Sequence, residues 1–420
     1  MTSLPPPGLP QTRAPQTCAP QTCAPLAGIR VLDIATFIAA PYAACVLGEF
    51  GAEVIKVEQP KGGDTFRHFG SLTGRDGDSL MWLSEARNKT SVTLDLRKDE
   101  GKALFLRLVE KADVVAENFR PGTLEKWGLG WDVLSRVNPR LILLRISGYG
   151  QTGPYKDRPG FARIAHAFGG LSYLAGLPGG VPVTPGSTSL ADYMSGLYGA
   201  IGVLMALRHR DHTGEGQVID LALYESVFRV LDEIAPAFAM FGKQREREGA
   251  GTVNACPHGH FQCGDGKWVA LACTTDRMFA RLCDAMAKPE LAGPECWGLL
   301  QSRLSDRAAV DALVEEWATA QTQGEVLDLC LSFEVPCAPL NSIADIFADP
   351  HFAARDNLHT VDDPDLGPVV VPGVVPTLSA SPGRIDHLGP RLGDGNARIY
   401  GGLLGLSDAE LAVLRKTGVV

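Results

Sequence analysis

IRVLDIATFIAAPYAACVLGEFGAEVIKVE, Ile29–Glu58, changes its hydrophobic rhythm twice. Ile29–Ala35 is a nearly continuous apolar run and predicts a buried strand. Pro41–Ala52 carries proline in its first turn and a helical spacing of apolar residues, so it predicts a helix. Glu53–Glu58 returns to strand character. Two strands joined through a helix pair in parallel, with a right-handed crossover. The same rhythm recurs in SVTLDL (91–96), EGKALFLRLVEKA (100–112) and DVVAEN (113–118), and RLILLRISGYG (140–150) adds a strand ending in glycines. The expected fold class is α/β with a parallel sheet.

The rest of the chain divides by texture. Residues 1–25 are Pro-rich, with the repeat QTRAP, QTCAP, QTCAP, and read as a disordered tail without targeting character. A large domain runs over 26–230, with a helix at Asp192–Arg208 and further helical content across Gly216–Gly242. From about Ala250 a Gly- and Cys-rich loop, the strand KWVALAC and amphipathic helices mark a smaller α/β domain over 245–340. Residues 345–420 form a C-terminal segment expected to return to the large domain.

Composition excludes several functions. Lys and Arg number 39 against 48 Asp and Glu, a net charge of -9, with no basic cluster for a phosphate backbone, so no nucleic-acid partner is expected. The apolar run Leu197–Leu207 is shorter than the roughly 20 residues of a membrane span, so no membrane partner is expected. Ten scattered cysteines read as reduced thiols of a cytoplasmic protein. CPHGHFQC, Cys256–Cys263, offers four metal-capable side chains but not the ligand gaps of a structural zinc site. It reads as a loop entering a strand, and no metal is expected.

Glu58 after the second strand mimics the ribose-binding acid of a dinucleotide fold. Between first strand and helix, however, the chain reads ATFIAAPYAA where glycines are needed for a pyrophosphate. No nucleophile elbow or Walker loop occurs. What stands out is Asp192 in SLADYMSGLYGAIGVLMALRHR, one carboxylate at the start of a small-residue helix. Aspartate is favoured at helix starts for capping alone, and the helix terminus also stabilises its anion. Gly196, Gly199 and Gly202 behind it are costly inside a helix unless a ligand or a partner helix approaches closely.

Six stretches together resemble the class III CoA-transferase family, which includes formyl-CoA and carnitine CoA-transferases and the related 2-methylacyl-CoA racemases. They are LAGIRVLDIATFIAAPYAACVLGEFGAEVIKVE, RNKTSVTLDLR, DVVAENFRPGTLEKWGLG, ISGYGQTGP, SLADYMSGLYG and TGEGQVIDLALYES, running from Leu26 to about Ser226. Fainter similarity continues through PLNSIADIFADP to the closing GVV. The resemblance implies that Asp192 attacks an acyl-CoA thioester. A mixed anhydride forms and CoA thiolate leaves, then returns to the aspartyl carbonyl. The donor acid departs, and the acceptor carboxylate attacks the aspartyl-CoA thioester. It further implies that CoA lies along Phe37, Ile38, Ala39, Asn118, Phe119, Thr123 and Lys126, with Gly148 and Tyr149 beside the nucleophile. No cofactor is permanently bound, since CoA thioesters are substrates. The implied fold is a Rossmann-like large domain with a smaller one, in an interlocked homodimer or a dimer with a homologous subunit.

Departures from the family pattern bear on the substrate. Ile38 stands where formyl-CoA transferases have glutamine, and Gln59 where they have arginine. Their glycine-rich active-site loop has no counterpart, and NACPHGHFQCGDG occupies its neighbourhood, where His258 or His260 would meet the substrate. Racemases place a histidine and an aspartate where Phe161 and Ala162 stand, and His166 lies five residues beyond, on another helix face. Proton exchange needs two positioned acid–base groups, so a transferase is expected rather than a racemase or a non-catalytic acyl-CoA-binding protein. Arg163, where many transferases are acidic, would bind a second carboxylate and select dicarboxylic acceptors. The expected reaction moves CoA from succinyl-CoA to malate, citramalate, itaconate or a glutarate-like acid.

Overall fold

The computed structural model describes residues 24–420. The Pro-rich tail expected over 1–25 therefore lies outside the described residues up to residue 23. Ala24 begins a turn whose carbonyl accepts from Ala27 N–H.

The larger of two units comprises 24–171, Gly186–Asp232 and Pro350–Val420. Its centre is a sheet of six parallel strands: β1 (Arg30–Asp33), β2 (Glu53–Glu58), β3 (Lys89–Thr93), β4 (Val114–Glu117), β5 (Ile142–Ser147) and β6 (Val218–Ala222), in the order β3-β2-β1-β4-β5-β6. Strand period sorts the side chains. Val31, Val114, Ala116, Ile142 and Leu144 join one core, while Leu32, Val115 and Leu143 join the other. Both faces are covered, as a parallel sheet requires. Helix Ala39–Glu49 and the long helix Leu190–Thr213 cover the first. Helix Asp99–Val109 covers the second, together with Ile399, Tyr400, Leu411, Val419 and Val420 from the C-terminus. A hairpin of β10 (Leu358–Asp363) and β11 (Gly367–Pro372) belongs to the same unit.

One expectation is corrected here. Gly216–Gly242 is not helical throughout, because VIDLA pairs with β5 as the edge strand β6 before helices Leu223–Phe228 and Ile234–Phe241 follow. VIDLA is a short apolar run broken only by Asp220, which periodicity alone does not separate from a helical segment, so its pairing with β5 decides it. The long helix also outruns the expected Asp192–Arg208, stopping only where Gly214 takes a left-handed φ of 81°. It is long and apolar enough to cross a membrane by length and composition. In this fold it buries Ala191, Ser195, Gly199, Val203 and Leu207 in the core, and its buried Arg210 pairs with Asp113 at 2.8 Å.

The smaller unit comprises Ser172–Pro185 and Glu233–Asp349 among the described residues. Ser172–Pro185 groups here rather than with the surrounding 26–230 stretch. Arg247 donates to the Tyr173 carbonyl at 2.8 Å and Gly249 N–H donates to the Gly176 carbonyl at 2.9 Å, ties between residues remote in sequence. The antiparallel strands β7 (His258–Gln262), β8 (Trp268–Ala272) and β9 (Cys337–Pro339) pack with helices Asp276–Ala285, Arg307–Thr319 and Gln323–Ser332. Cys256, Cys263, Cys273, Cys283 and Cys330 fill that core as small hydrophobes. The stretch read as a loop around His258 is thus a strand.

Candidate active site

The order β3-β2-β1-β4-β5-β6 reverses between β1 and β4, and in such sheets ligands bind beyond the carboxyl ends of the strands at that reversal. The loops leaving β1, β4 and β5 carry Phe37, Ile38 and Ala39, then Asn118 and Phe119, then Gly148 and Tyr149. The first two loops are tied directly. Thr36 N–H donates to Asn118 Oδ1 at 2.9 Å, and Asn118 Nδ2 returns a bond to the Thr36 carbonyl at 2.6 Å.

A buried ionic lattice, unread in the sequence, clamps the β1 loop from beneath. The Lys56 ammonium bonds the Ala35 carbonyl and lies 3.0 Å from Asp64 and 3.6 Å from Asp33. Lys89 Nζ donates to Asp33 at 2.9 Å and to the Pro41 carbonyl at 2.7 Å. Asp64 Oδ1 accepts from Phe37 N–H at 3.2 Å and holds it at φ 61°, a conformation an aromatic residue adopts only under constraint. Glu58 bonds Arg67 twice and Ser91 once, so it is committed to structure. Burial opposes its ionisation, but the Arg67 hydrogen bonds and charge outweigh that and hold its carboxyl below the ordinary range. The available signal was charge inside strands read as buried, which demands a partner.

Beyond β4, Phe119 stacks edge-on against Trp127 at 5.2 Å, and its N–H donates to Glu117. Arg145 bridges Glu117 and Glu125, fixing the short helix Thr123–Lys126 under that loop. Lys126 is exposed at its end, with no ion pair among the described residues. Beyond β5, Gly148 crosses Gly160 so closely that a Cβ on Gly148 would lie 2.8 Å from Gly160 Cα. That crossing leads the chain into helix Ala162–Phe168. There Phe161 meets Phe37 at 6.2 Å, and Phe168 meets Tyr149 at 5.1 Å.

Asp192 sits in the first turn of the Leu190–Thr213 helix, half-buried. Gly196 lets that helix approach, since a Cβ there would fall 2.8 Å from both the Ala39 carbonyl and Tyr42 Cδ1. The glycines thus accommodate a partner helix and strand side chains. Tyr193 packs edge-on against Tyr42 at 4.9 Å, so the nucleophile candidate and the β1 loop share a wall. Asp192 does not cap its helix. Among the described residues its carboxylate has no hydrogen bond or ion pair, and burial pushes its pKa up to about 7.

His166 corrects the sequence reading, which set it aside as facing elsewhere. It is fully buried, and its Nε2 accepts the Ala191 N–H at 2.9 Å, one residue from Asp192. A histidine in the buried stripe of Ala162 and Ala165 was the available signal, since a buried imidazole requires a partner. Arg163 is exposed on the same short helix, and its charge joins burial in lowering the His166 pKa. His258 and His260 lie on β7 of the smaller unit, half-buried and exposed respectively. Among the described residues no three metal-capable side chains gather.

The sequence model of CoA-transferase family III matches residues 26–396. The alpha subunit of succinyl-CoA–L-malate CoA-transferase from Chloroflexus aurantiacus is 58% identical over 395 residues, covering 94% of this chain and 92% of that one. The beta subunit from the same species is 59% identical over 397 residues, covering 94% and 98%. A crystal structure of a CAIB/BAIF family protein from Brucella suis superposes with a TM-score of 0.79 at 35% identity, covering 90% of this chain and 99% of that one.

Proposed function

The chain belongs to CoA-transferase family III, and from that premise we propose that it carries CoA from succinyl-CoA to L-malate or a closely similar small dicarboxylate through Asp192. Both subunits of the malate-using relative stand at 58–59% identity over nearly the whole chain, which supports succinyl-CoA as donor and a four-carbon dicarboxylate as acceptor.

The observation that carries the mechanism is the bare Asp192 carboxylate. A carboxylate engaged by arginine or lysine is a poor nucleophile, whereas a desolvated one without a counter-cation retains its electron density for the thioester carbon. Asp192 attacks the succinyl carbonyl and expels CoA thiolate, leaving a succinyl-aspartyl anhydride. The thiolate attacks the aspartyl carbonyl, succinate leaves, and an aspartyl-CoA thioester remains. A malate carboxylate then attacks that thioester and expels the thiolate again, and the thiolate attacks the malyl carbonyl to restore Asp192. Four acyl substitutions leave the number of thioesters unchanged, so no nucleotide is consumed. The loops at Phe37–Ala39 and Asn118–Phe119 hold the carrier, Lys126 meets its phosphates, Gly148 and Tyr149 flank the reacting centre, and Arg163 takes the second carboxylate of the acceptor.

Assembly into a dimer, with a second copy or a homologous subunit, belongs to this reading. Leu197, Ile201, Leu204 and Met205 form an exposed apolar stripe along one face of the long helix, a surface that favours a partner. The deciding experiment incubates the purified protein with succinyl-CoA and a panel of mono- and dicarboxylates, reading new CoA thioesters by mass. Malyl-CoA is expected, lost in Asp192→Ala, with hydroxylamine modifying Asp192 in the wild type. Equal use of monocarboxylates, or transfer surviving in Asp192→Ala, refutes the proposal.

A further inference from the structure

We propose that His166 is a positioning residue for Asp192: it supplies from a second helix the hydrogen-bond acceptor that the first turn of the Leu190–Thr213 helix lacks, leaving the Asp192 carboxylate free to react. This rests on the nucleophilic role given to Asp192 above.

The first amides of any helix have no acceptor within the helix, and Ser, Asp or a water ordinarily supplies one. Here the N-cap residue is Ser189, yet its side chain makes no capping bond. Asp192 is of the residue type and in the turn to fold back on those amides, and it does not. The Ala191 N–H instead donates to His166 Nε2 at 2.9 Å. Ala191 and His166 are both fully buried, so no solvent can replace this bond. Because Nε2 accepts, the ring proton resides on Nδ1, which has no partner in the structure. The imidazole thus performs the capping that the Ser189 side chain leaves undone. Remove the acceptor, and the orphaned amide draws on the Ser189 hydroxyl or the Asp192 carboxylate, either of which reshapes the turn that carries the nucleophile. His166 keeps that amide satisfied and leaves both side chains out of the cap.

Three variants separate this role from simple space-filling. His166→Gln keeps an acceptor at about the reach of Nε2; His166→Asn is too short to place one there; His166→Phe keeps ring volume without any acceptor. With succinyl-CoA and malate, the glutamine variant is expected to stay within about threefold of wild-type kcat. The asparagine and phenylalanine variants are expected to lose kcat about a hundredfold, the order of effect of displacing a reacting group by about 1 Å, with KM for succinyl-CoA within about twofold. Hydrogen exchange of the Ala191 amide gives a readout independent of turnover. It should be slow in wild type and His166→Gln and at least about tenfold faster in the other two. Unchanged kcat in the asparagine variant, equal loss in asparagine and glutamine variants, or exchange indifferent to the acceptor overturns the inference. The asparagine–glutamine comparison stands even if the phenylalanine variant does not fold. Should the wild type transfer no CoA, the proposed reaction fails, while the exchange arm still tests the hydrogen bond by itself.

Discussion

Asp192→Asn should make the protein more heat-stable, by an amount that grows with pH. The folded protein holds this carboxyl at about 7, because burial disfavours the charge and no cation compensates, against an ordinary value of 3.8. That difference corresponds to about 4 kcal/mol in favour of the neutral acid, at 1.36 kcal/mol per pH unit. Partial exposure and the first-turn amides reduce it to about 2–3 kcal/mol. The sign follows from proton binding. Between roughly pH 4 and pH 7 the native state holds more protons at this site than the unfolded chain, so wild-type stability falls as pH rises through that window. Asparagine has nearly the same shape and no charge to desolvate. For a chain of this length about 1–2 °C of Tm accompanies each kcal/mol, so the variant should melt about 3–5 °C higher at pH 8 and about 1 °C higher near pH 4.5. Differential scanning fluorimetry across that range, on protein checked for lost CoA transfer, measures it. An aspartate that merely caps its helix predicts the opposite sign, since its removal costs stability. A variant that melts lower than wild type at pH 8, or a difference independent of pH, would refute the reasoning.

Two other expectations concern neighbouring parts of the site. Lys126→Ala should raise KM for CoA thioesters about tenfold while leaving kcat within about twofold, because an exposed phosphate partner binds ground and transition states alike; steady-state kinetics decides, and an unchanged KM removes Lys126 from the CoA site. Gly196→Ala should cost about 1–3 kcal/mol by forcing the long helix off the Ala39 carbonyl and Tyr42. Gly202→Ala, whose nearest obstacle is Ile219 Cγ2 at 3.2 Å, should come out near neutral, and the two melting temperatures test the contrast.

Ile29–Glu58, by its change of period alone, determined a parallel strand–helix–strand unit, and the repetition of that rhythm determined an α/β fold. The quoted stretches, in chain order, carried the resemblance to the family, and Asp192 was legible because a carboxylate heading an apolar, glycine-marked helix is conspicuous within a single window of sequence. Tertiary structure decided the setting of Asp192. The acceptor for the neighbouring Ala191 amide comes from His166, 25 positions before Ala191, and the loop beyond β1 depends on Asn118, 82 positions from Thr36. The edge strand β6 depended likewise on pairing with β5, and the buried ammonium groups of Lys56 and Lys89 on carboxylates delivered by other strands and loops. Periodicity and capping preference act over one or two turns of chain, so sequence displays them. A hydrogen bond or an ion pair in a dry interior needs two groups brought within about 3 Å, and only the folded path of the backbone fixes which groups those are.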